Sequence, residues 1–318
     1  MEGVGWAATV GSFNIRLDTA ADGTNGWPHR TSMVVHVIGG ADIWGLQEAL
    51  PHQVRELERR LPHMQAVWRT RDADPSRDES CPIMFDRRLW ALDPDDHGTF
   101  WLSQEPSVPG SKSWDSSLPR ICTYARLVRR GCEPCALYVF NVHLDHRGDL
   151  ARGESARLLR ERIGARTRPD PVVLLGDFNA GPDSPPLQLL TASDPEPPAR
   201  EGREDRTATA SGDAARRVRP SARGAFIDAW RAANPAAPEQ GTFNGWSAEV
   251  SALRIDFVLV SPDVKVISAS IDSAQQTGRW PSDHLPVTAQ LQFRPPTGAA
   301  AVGAGADLSP QREPRAGE

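Results

Sequence analysis

Carboxylates, histidines and asparagines stand at the ends of short apolar runs along this chain. Asn14 closes the run 7–13, and Glu48 follows 42–47. His143 and Asp145 follow 137–142, while Asp177 and Asn179 follow 172–175 in Leu-Leu-Gly-Asp-Phe-Asn. Asp256 lies in Arg-Ile-Asp-Phe-Val-Leu-Val, and Asp283 and His284 lie in Ser-Asp-His-Leu-Pro. Such groups can move protons and orient a polar substrate. Taken singly, an aspartate after a strand caps a turn and an asparagine bonds nearby backbone. The combination of several carboxylates, two histidines and two asparagines, each at the end of an apolar run, is what sets these positions apart. A sheet behind them would fix their side chains, which makes strand ends a good place to build a site.

The elements that would hold them alternate short strands with loops and a few helices. Strands are expected over 7–13, 42–47, 82–85, 123–129, 137–142, 172–175, 254–260 and 287–292. The run 172–175 is apolar throughout, as a strand buried on both faces would be. Helices are expected over 30–38, 51–61 and 150–166. Pro51 suits a first-turn position, and Leu158, Leu159 and Ile163 mark the apolar side of the third helix. Many short strands with few helices predict an α/β sandwich. Two segments, 193–223 and 295–318, are rich in Pro, Gly, Ala and Arg and poor in large apolar residues. They are expected to be a disordered insert and a disordered tail around one domain over 1–294.

Six pieces of the sequence resemble the endonuclease/exonuclease/phosphatase superfamily. They are Ser12-Phe13-Asn14-Ile15-Arg16, Trp44-Gly45-Leu46-Gln47-Glu48, Asn141-Val142-His143-Leu144-Asp145, Gly176-Asp177-Phe178-Asn179, Arg254-Ile255-Asp256-Phe257 and Ser282-Asp283-His284-Leu285-Pro286. They follow the family's order and span residues 12 to 286. The resemblance implies a four-layered α/β/β/α sandwich with two stacked mixed β-sheets, and divalent-metal-dependent hydrolysis of a phosphoester. It makes Glu48 the principal metal ligand with Asn14 beside it, and places Asp256 near His143 or a second metal position. Their hard oxygen donors suit Mg²⁺ or Mn²⁺. Asp177 would orient or deprotonate the attacking water, and Asn179, His143 and His284 would meet phosphate oxygens. Asp283 would hold the ring of His284 in the useful tautomer.

One departure stands two positions after Asn14. Several nucleases of the family carry an acidic residue there, and this chain carries Arg16. A cation cannot ligate a metal but can meet substrate phosphate, which favours a single-metal site. Three loops resemble a bacterial branch of the family: 22–27, 110–120 and 241–246. Trp27, Trp114 and Trp246 could stack on a base or sugar or pack their loops onto the body. Arg16, Asp145, Trp114, Arg120, Asn244 and Trp246 are the expected substrate contacts, with Lys112 a further cation. The loops favour a small nucleotide- or sugar-phosphate-like substrate. The rival reading is a nonspecific DNA or RNA nuclease. A catalytically silent scaffold and a sphingomyelinase-type phosphodiesterase rank lower.

Composition narrows the partners. The chain has 318 residues, 36 Lys and Arg against 41 Asp and Glu, and a formal charge of −5. This balance lacks the basic excess of a protein that grips long polyanions. No apolar run approaches the roughly 18–20 residues of a membrane span, and the first residues lack a basic and apolar leader pattern. The reading is a cytoplasmic monomer that acts on a phosphoester, without a membrane partner. Cys132-Glu-Pro-Cys135 is a lone C-x-x-C without a second pair. Zinc would need two more ligands, so a hairpin turn carrying two thiols is expected there.

Overall fold

Side-chain alternation along the strands decides which residues meet. Strand β1 (Trp6–Asn14) turns Ala8 and Val10 to one side and Phe13 to the other. Strand β2 (Ile43–Gln47) does the same with Ile43 against Trp44 and Leu46. Strand β7 (Ala136–His143) turns Leu137 and Val139 inward and Tyr138, Phe140 and Val142 outward. Strand β8 (Val172–Asp177) splits Val173 and Leu175 from Val172 and Leu174. Extending this period of two places Asn14, Gln47, Asn141, His143 and Asp177 on the inward face, one or two steps beyond the last apolar side chain.

The computed structural model describes residues 5–74, 78–132, 134–192 and 225–294; the expected insert at 193–223 and tail at 295–318 lie outside the described residues. Two mixed sheets of six strands carry the fold. The first adds β3 (Met64–Val67), β4 (Ile83–Asp86), β11 (Lys265–Ile271) and β12 (Val287–Phe293), in the order β11-β12-β1-β2-β4-β3. The second adds β5 (Trp90–Trp101), β6 (Ile121–Arg129), β9 (Ile227–Asp228) and β10 (Asp256–Val260), in the order β5-β6-β7-β8-β10-β9. Each sheet has a central parallel pair, β1 with β2 and β7 with β8, flanked by antiparallel strands.

Helices close both outer faces. Val34 and Ile38 of α1 (Trp27–Ile38) and Val54 and Leu57 of α2 (Pro51–Arg60) pack on Phe13, Trp44 and Leu46. Ala156, Leu159 and Ile163 of α3 (Asp149–Gly164) and Leu187 and Leu190 of α4 (Pro185–Thr191) pack on Phe140, Val142 and Leu174. A short helix, α5 (Ala229–Ala233), buries Ala229 and Trp230 in the core between the sheets. The result is the expected α/β/β/α sandwich. Strands β3, β5 and β11 escape a reading by pattern. Strand β5 runs through Asp93-Pro94-Asp95-Asp96 and shifts register between Leu92 and His97. Strand β11 is an edge with mostly exposed side chains. The turn between β6 and β7 forms as expected, but its cysteines are joined as a Cys132–Cys135 disulfide.

Beneath the site the sheets approach closely. Gln47 Nε2 donates to Ser12 Oγ (3.3 Å) and Asn141 Oδ1 (2.7 Å), while Asn141 Nδ2 donates to the carbonyls of Leu46 and Pro82. Gly45 permits this layer, because a Cβ there would lie 2.7 Å from Asn141 Oδ1 and 2.8 Å from Leu175 Cβ. Gly45→Ala is therefore expected to cost about 1–3 kcal/mol by overpacking. Urea unfolding reads this directly, and an unchanged midpoint would mean that the sheets separate freely here.

Candidate active site

Asn14 is the hub of the site. Its Nδ2 donates to Glu48 Oε1 (3.1 Å) and Asp177 Oδ2 (3.0 Å), and its Oδ1 accepts from the Arg16 N–H (3.0 Å). The amide oxygen is thus turned to the backbone and the amide hydrogens to the carboxylates. Asn14 serves here as a donor that ties two carboxylates together, beside Glu48 as expected. Glu48 Oε2 accepts from the Leu17 N–H (3.2 Å). Both Arg16 (φ 55°) and Glu48 (φ 59°) have left-handed backbone, which costs free energy in a non-glycine residue and concentrates at functional sites.

Three elements converge on Asp177 Oδ2. His143 Nε2 lies 3.5 Å away and His284 Nε2 3.7 Å away, with the Asn14 amide between. The register pairs Asp177 with His143 on one side and with Asp256 on the other. His284 Nδ1 and Asp256 Oδ2 form a 2.9 Å hydrogen bond. The ring of His284 is therefore held by Asp256, and not by Asp283 as the resemblance implied. Asp283 reaches Arg16 instead, at 3.7 Å. Asp256, expected as a metal ligand, is spent through Oδ2 on the histidine. Its buried Oδ1 has no hydrogen-bond partner among the described residues.

The electrostatics separate the two histidines. Burial pushes His143 well below the ordinary histidine range, and the Arg120 and Arg71 guanidiniums add to this, so it is neutral at pH 7. Burial pushes His284 down as well, but Asp256 and Asp177 outweigh it and raise its pKa to about 10. His284 is thus a cation at pH 7. Asp177 is raised to about 7 by burial and by Asp256, against the pull of His284. A carboxylate poised near neutrality between a neutral and a charged imidazole has the balance expected of a proton acceptor.

The remaining expected contacts divide by geometry. Arg16 donates to both oxygens of Asp22 at 3.1 Å and stands 3.7 Å from Glu48 and from Asp283. The Asp22 hydrogen bond leads in raising its pKa, and it acts as an internal counter-cation. Asp145 is not free for substrate. Its Oδ2 accepts from Ser116, Ser117 and Leu118 and its Oδ1 from the N–H groups of Arg147 and Gly148. Burial raises its pKa, yet these bonds outweigh burial and lower it. Asp145 pins the loop that carries Trp114. Asn244 is likewise internal, donating to Ser282 O and accepting from the Trp246 N–H. Asn179 donates to Leu144 O and has left-handed backbone (φ 47°).

Of the three tryptophans, Trp27 is buried with its indole N–H on Glu56. Trp246 lies on the Arg30 guanidinium at 5.6 Å. Both pack their loops. Trp114 is half-buried with φ 58°, and no aromatic ring or guanidinium stacks on it among the described residues. Arg120 is buried against His146 Nδ1 (3.0 Å) and 3.6 Å from Asp145.

Two residues escaped the sequence reading. Phe243 is 38% exposed and sets its ring edge-on to His284 at 5.0 Å. Arg30 is buried and donates to the carbonyls of Ile15, Arg16 and Pro281, joining the Asn14 and Asp283 segments. Its place in a helix gave no sign of this. Phe243 stands in a loop already singled out, where the larger Trp246 drew attention.

A family model described as the Endonuclease/Exonuclease/phosphatase family matches residues 11–284. No curated protein matches the chain. Among solved structures, a protein of that family from Bacteroides thetaiotaomicron superposes with a TM-score of 0.74 at 26% identity, covering 92% of this chain and 99% of its own. One from Bacteroides vulgatus gives 0.75 at 27% identity, covering 91% and 100%. A Bacteroides thetaiotaomicron mannosyl-6-phosphatase gives 0.72 at 27% identity, covering 90% and 99%. In the described residues no helix is long and apolar enough to cross a membrane.

Proposed function

The chain belongs to the Endonuclease/Exonuclease/phosphatase family, and from that premise we propose that it is a divalent-metal-dependent phosphoesterase of a small sugar- or nucleotide-phosphate-like substrate. The observation that carries the chemistry is the convergence on Asp177 Oδ2 of a neutral His143 and a charged His284 held by Asp256. The small substrate is supported by the similarity to the mannosyl-6-phosphatase, by the net charge of −5, and by Phe243, a single aromatic set edge-on to His284.

The residues present fit a hard cation. Glu48, Asp177, Asp256 and Asp283 are oxygen donors within one site, as Mg²⁺ or Mn²⁺ requires, and Asp256 Oδ1 is buried without a partner. Oxygens of Asp177 and Asp256 and a nitrogen of His284 lie within 4.8 Å of one another. A protonated imidazole cannot ligate a metal, however, and His284 is held protonated by its two carboxylates. Glu48 is therefore the proposed ligand. When bound, the cation would offset charge on a phosphate oxygen and on the leaving group. Asp177 takes a proton from the attacking water. His284 donates through Nε2 to a phosphate oxygen, and its fixed charge meets the negative charge that grows in the transition state. His143 and Asn179 orient the phosphate, and Phe243 offers an apolar edge to the rest of the substrate.

The test is a hydrolysis screen with and without Mg²⁺ or Mn²⁺, using sugar phosphates, nucleotides, dinucleotides, plasmid DNA and single-stranded RNA. Phosphate release from a small molecule with polymers untouched is the expected result. Cleavage of the polymers would make the protein a nuclease. Glu48→Gln is expected to raise the metal concentration for half-maximal rate by at least about tenfold, since one charge-assisted contact is worth about 1.5–3 kcal/mol. An unchanged metal titration would remove Glu48 from the ligand set.

A further inference from the structure

A second cavity lies on the outer face of the second sheet, built by other residues than the phosphoester site. Its volume is about 390 Å³, within the range of small-molecule pockets. Phe100 of β5, Tyr124 of β6 and Phe140 of β7 form its floor. The rings of Tyr124 and Phe140 stack at 5.8 Å, and Phe100 stands 6.4 Å from Tyr124. Gly98 lies opposite Tyr124 in the β5–β6 register, and a Cβ there would come within 3.2 Å of the Tyr124 ring and hydroxyl. The glycine leaves the tyrosine room to lie flat across the neighbouring strand.

Cations rim this floor. Arg162 and Arg166 reach it from the C-terminal end of α3, and Arg69 from the segment after β3. The Arg162 guanidinium lies 5.6 Å over Phe100, and that of Arg69 lies 4.9 Å over Trp101. Neither Arg69 nor Arg162 forms an ion pair among the described residues. The carboxylate in the lining, Asp96, accepts from Tyr138 Oη and from Thr167 Oγ1. Three guanidiniums against one occupied carboxylate leave the rim positive. We propose that this cavity is a second binding site, and that it takes a planar aromatic anion whose ring stacks on Tyr124, which the buried Phe140 backs, while its charged group meets Arg69 and Arg162. The geometry is that of ring-on-ring stacking joined to charge-assisted hydrogen bonds from guanidinium.

Isothermal titration with naphthalene-2-sulfonate tests this. The probe is planar and anionic and holds no phosphoester to hydrolyse. The expected result is saturable binding of one probe per chain. Arg69→Gln with Arg162→Gln should weaken it at least tenfold at an unchanged melting temperature, since both side chains are at the surface. Neutral 2-naphthol should bind at least tenfold more weakly than the sulfonate, and His284→Gln, which removes the cation of the phosphoester site, should bind the sulfonate as the parent protein does. Absence of saturable binding overturns the proposal. So does binding that the two arginine substitutions leave unchanged, or binding that His284→Gln abolishes, which would place the probe in the phosphoester site. None of these results bears on phosphoester hydrolysis, which the screen above reads separately.

Discussion

Asp177→Asn is expected to lower kcat by about three orders of magnitude, within the range attributed to a positioned base and its electrostatic support, while leaving the protein at least as stable. The two halves of this expectation come from one arrangement. Asp177 is the last residue of β8, paired in register with both His143 and Asp256, so a change of one atom leaves the backbone in place. Burial and the Asp256 carboxylate raise its pKa to about 7. A carboxyl group whose folded pKa lies above its unfolded value of about 3.9 is less stable ionised in the native state than in the unfolded chain. Removing that charge relieves the native state near and above pH 7. Steady-state hydrolysis and thermal melting at pH 7.5 read both halves. Lost activity with an equal or higher Tm supports a functional carboxylate. Lost activity with a Tm lowered by many degrees would make Asp177 a structural residue.

The strand ends were legible in the sequence because a period of two and an apolar run are local properties. The runs 7–13, 42–47, 137–142 and 172–175 lie within or overlap observed strands, and the polar residues after them stand at one end of the sandwich. What could not be read is the pairing of those residues across the chain. His284 meets Asp256 from 28 positions away, and a resemblance of motifs carries no register between β10 and the segment before β12. The resemblance therefore implied Asp283, the acidic residue of the same motif as His284. Asp145 shows the complementary limit. It shares a motif with His143, yet the backbone N–H groups of residues 117–118 and 147–148 consume its oxygens. Only the folded loop decides whether an aspartate faces substrate or its own chain. Arg30 and Phe243 were hidden for a like reason. A charged residue on a helix reads as solvent-facing, and burial of Arg30 depends on the three carbonyls that the distant segments at Ile15 and Pro281 bring to it.

Asp256→Asn separates two accounts of His284. In the first, His284 is merely a donor near phosphate, and its neighbour matters little. In the second, Asp256 keeps it charged. Burial alone would drive the imidazole to its neutral form, and the Asp256 and Asp177 carboxylates reverse this, raising the pKa to about 10. The substitution keeps the size of the side chain and the backbone bonds to Thr242, but removes the charge that contributes most to that reversal. The His284 imidazole, followed by its ring-proton shifts in the metal-free protein, should remain protonated well above pH 7 in the parent and titrate at a distinctly lower pH in Asp256→Asn. The stability link has a definite sign. A histidine whose folded pKa exceeds the unfolded value of about 6.5 stabilises the fold fully below that value and loses the contribution as pH rises toward about 10. Melting temperature should therefore fall between pH 7 and 10 more steeply in the parent than in Asp256→Asn. The rate at pH 7.5 should drop about a hundred- to ten-thousandfold, the range seen when the orienting carboxylate of a catalytic histidine is neutralised. If the ring of His284 titrates alike in both proteins, Asp256 does not set its charge, and the assignment of His284 as the fixed cation of the site fails with it.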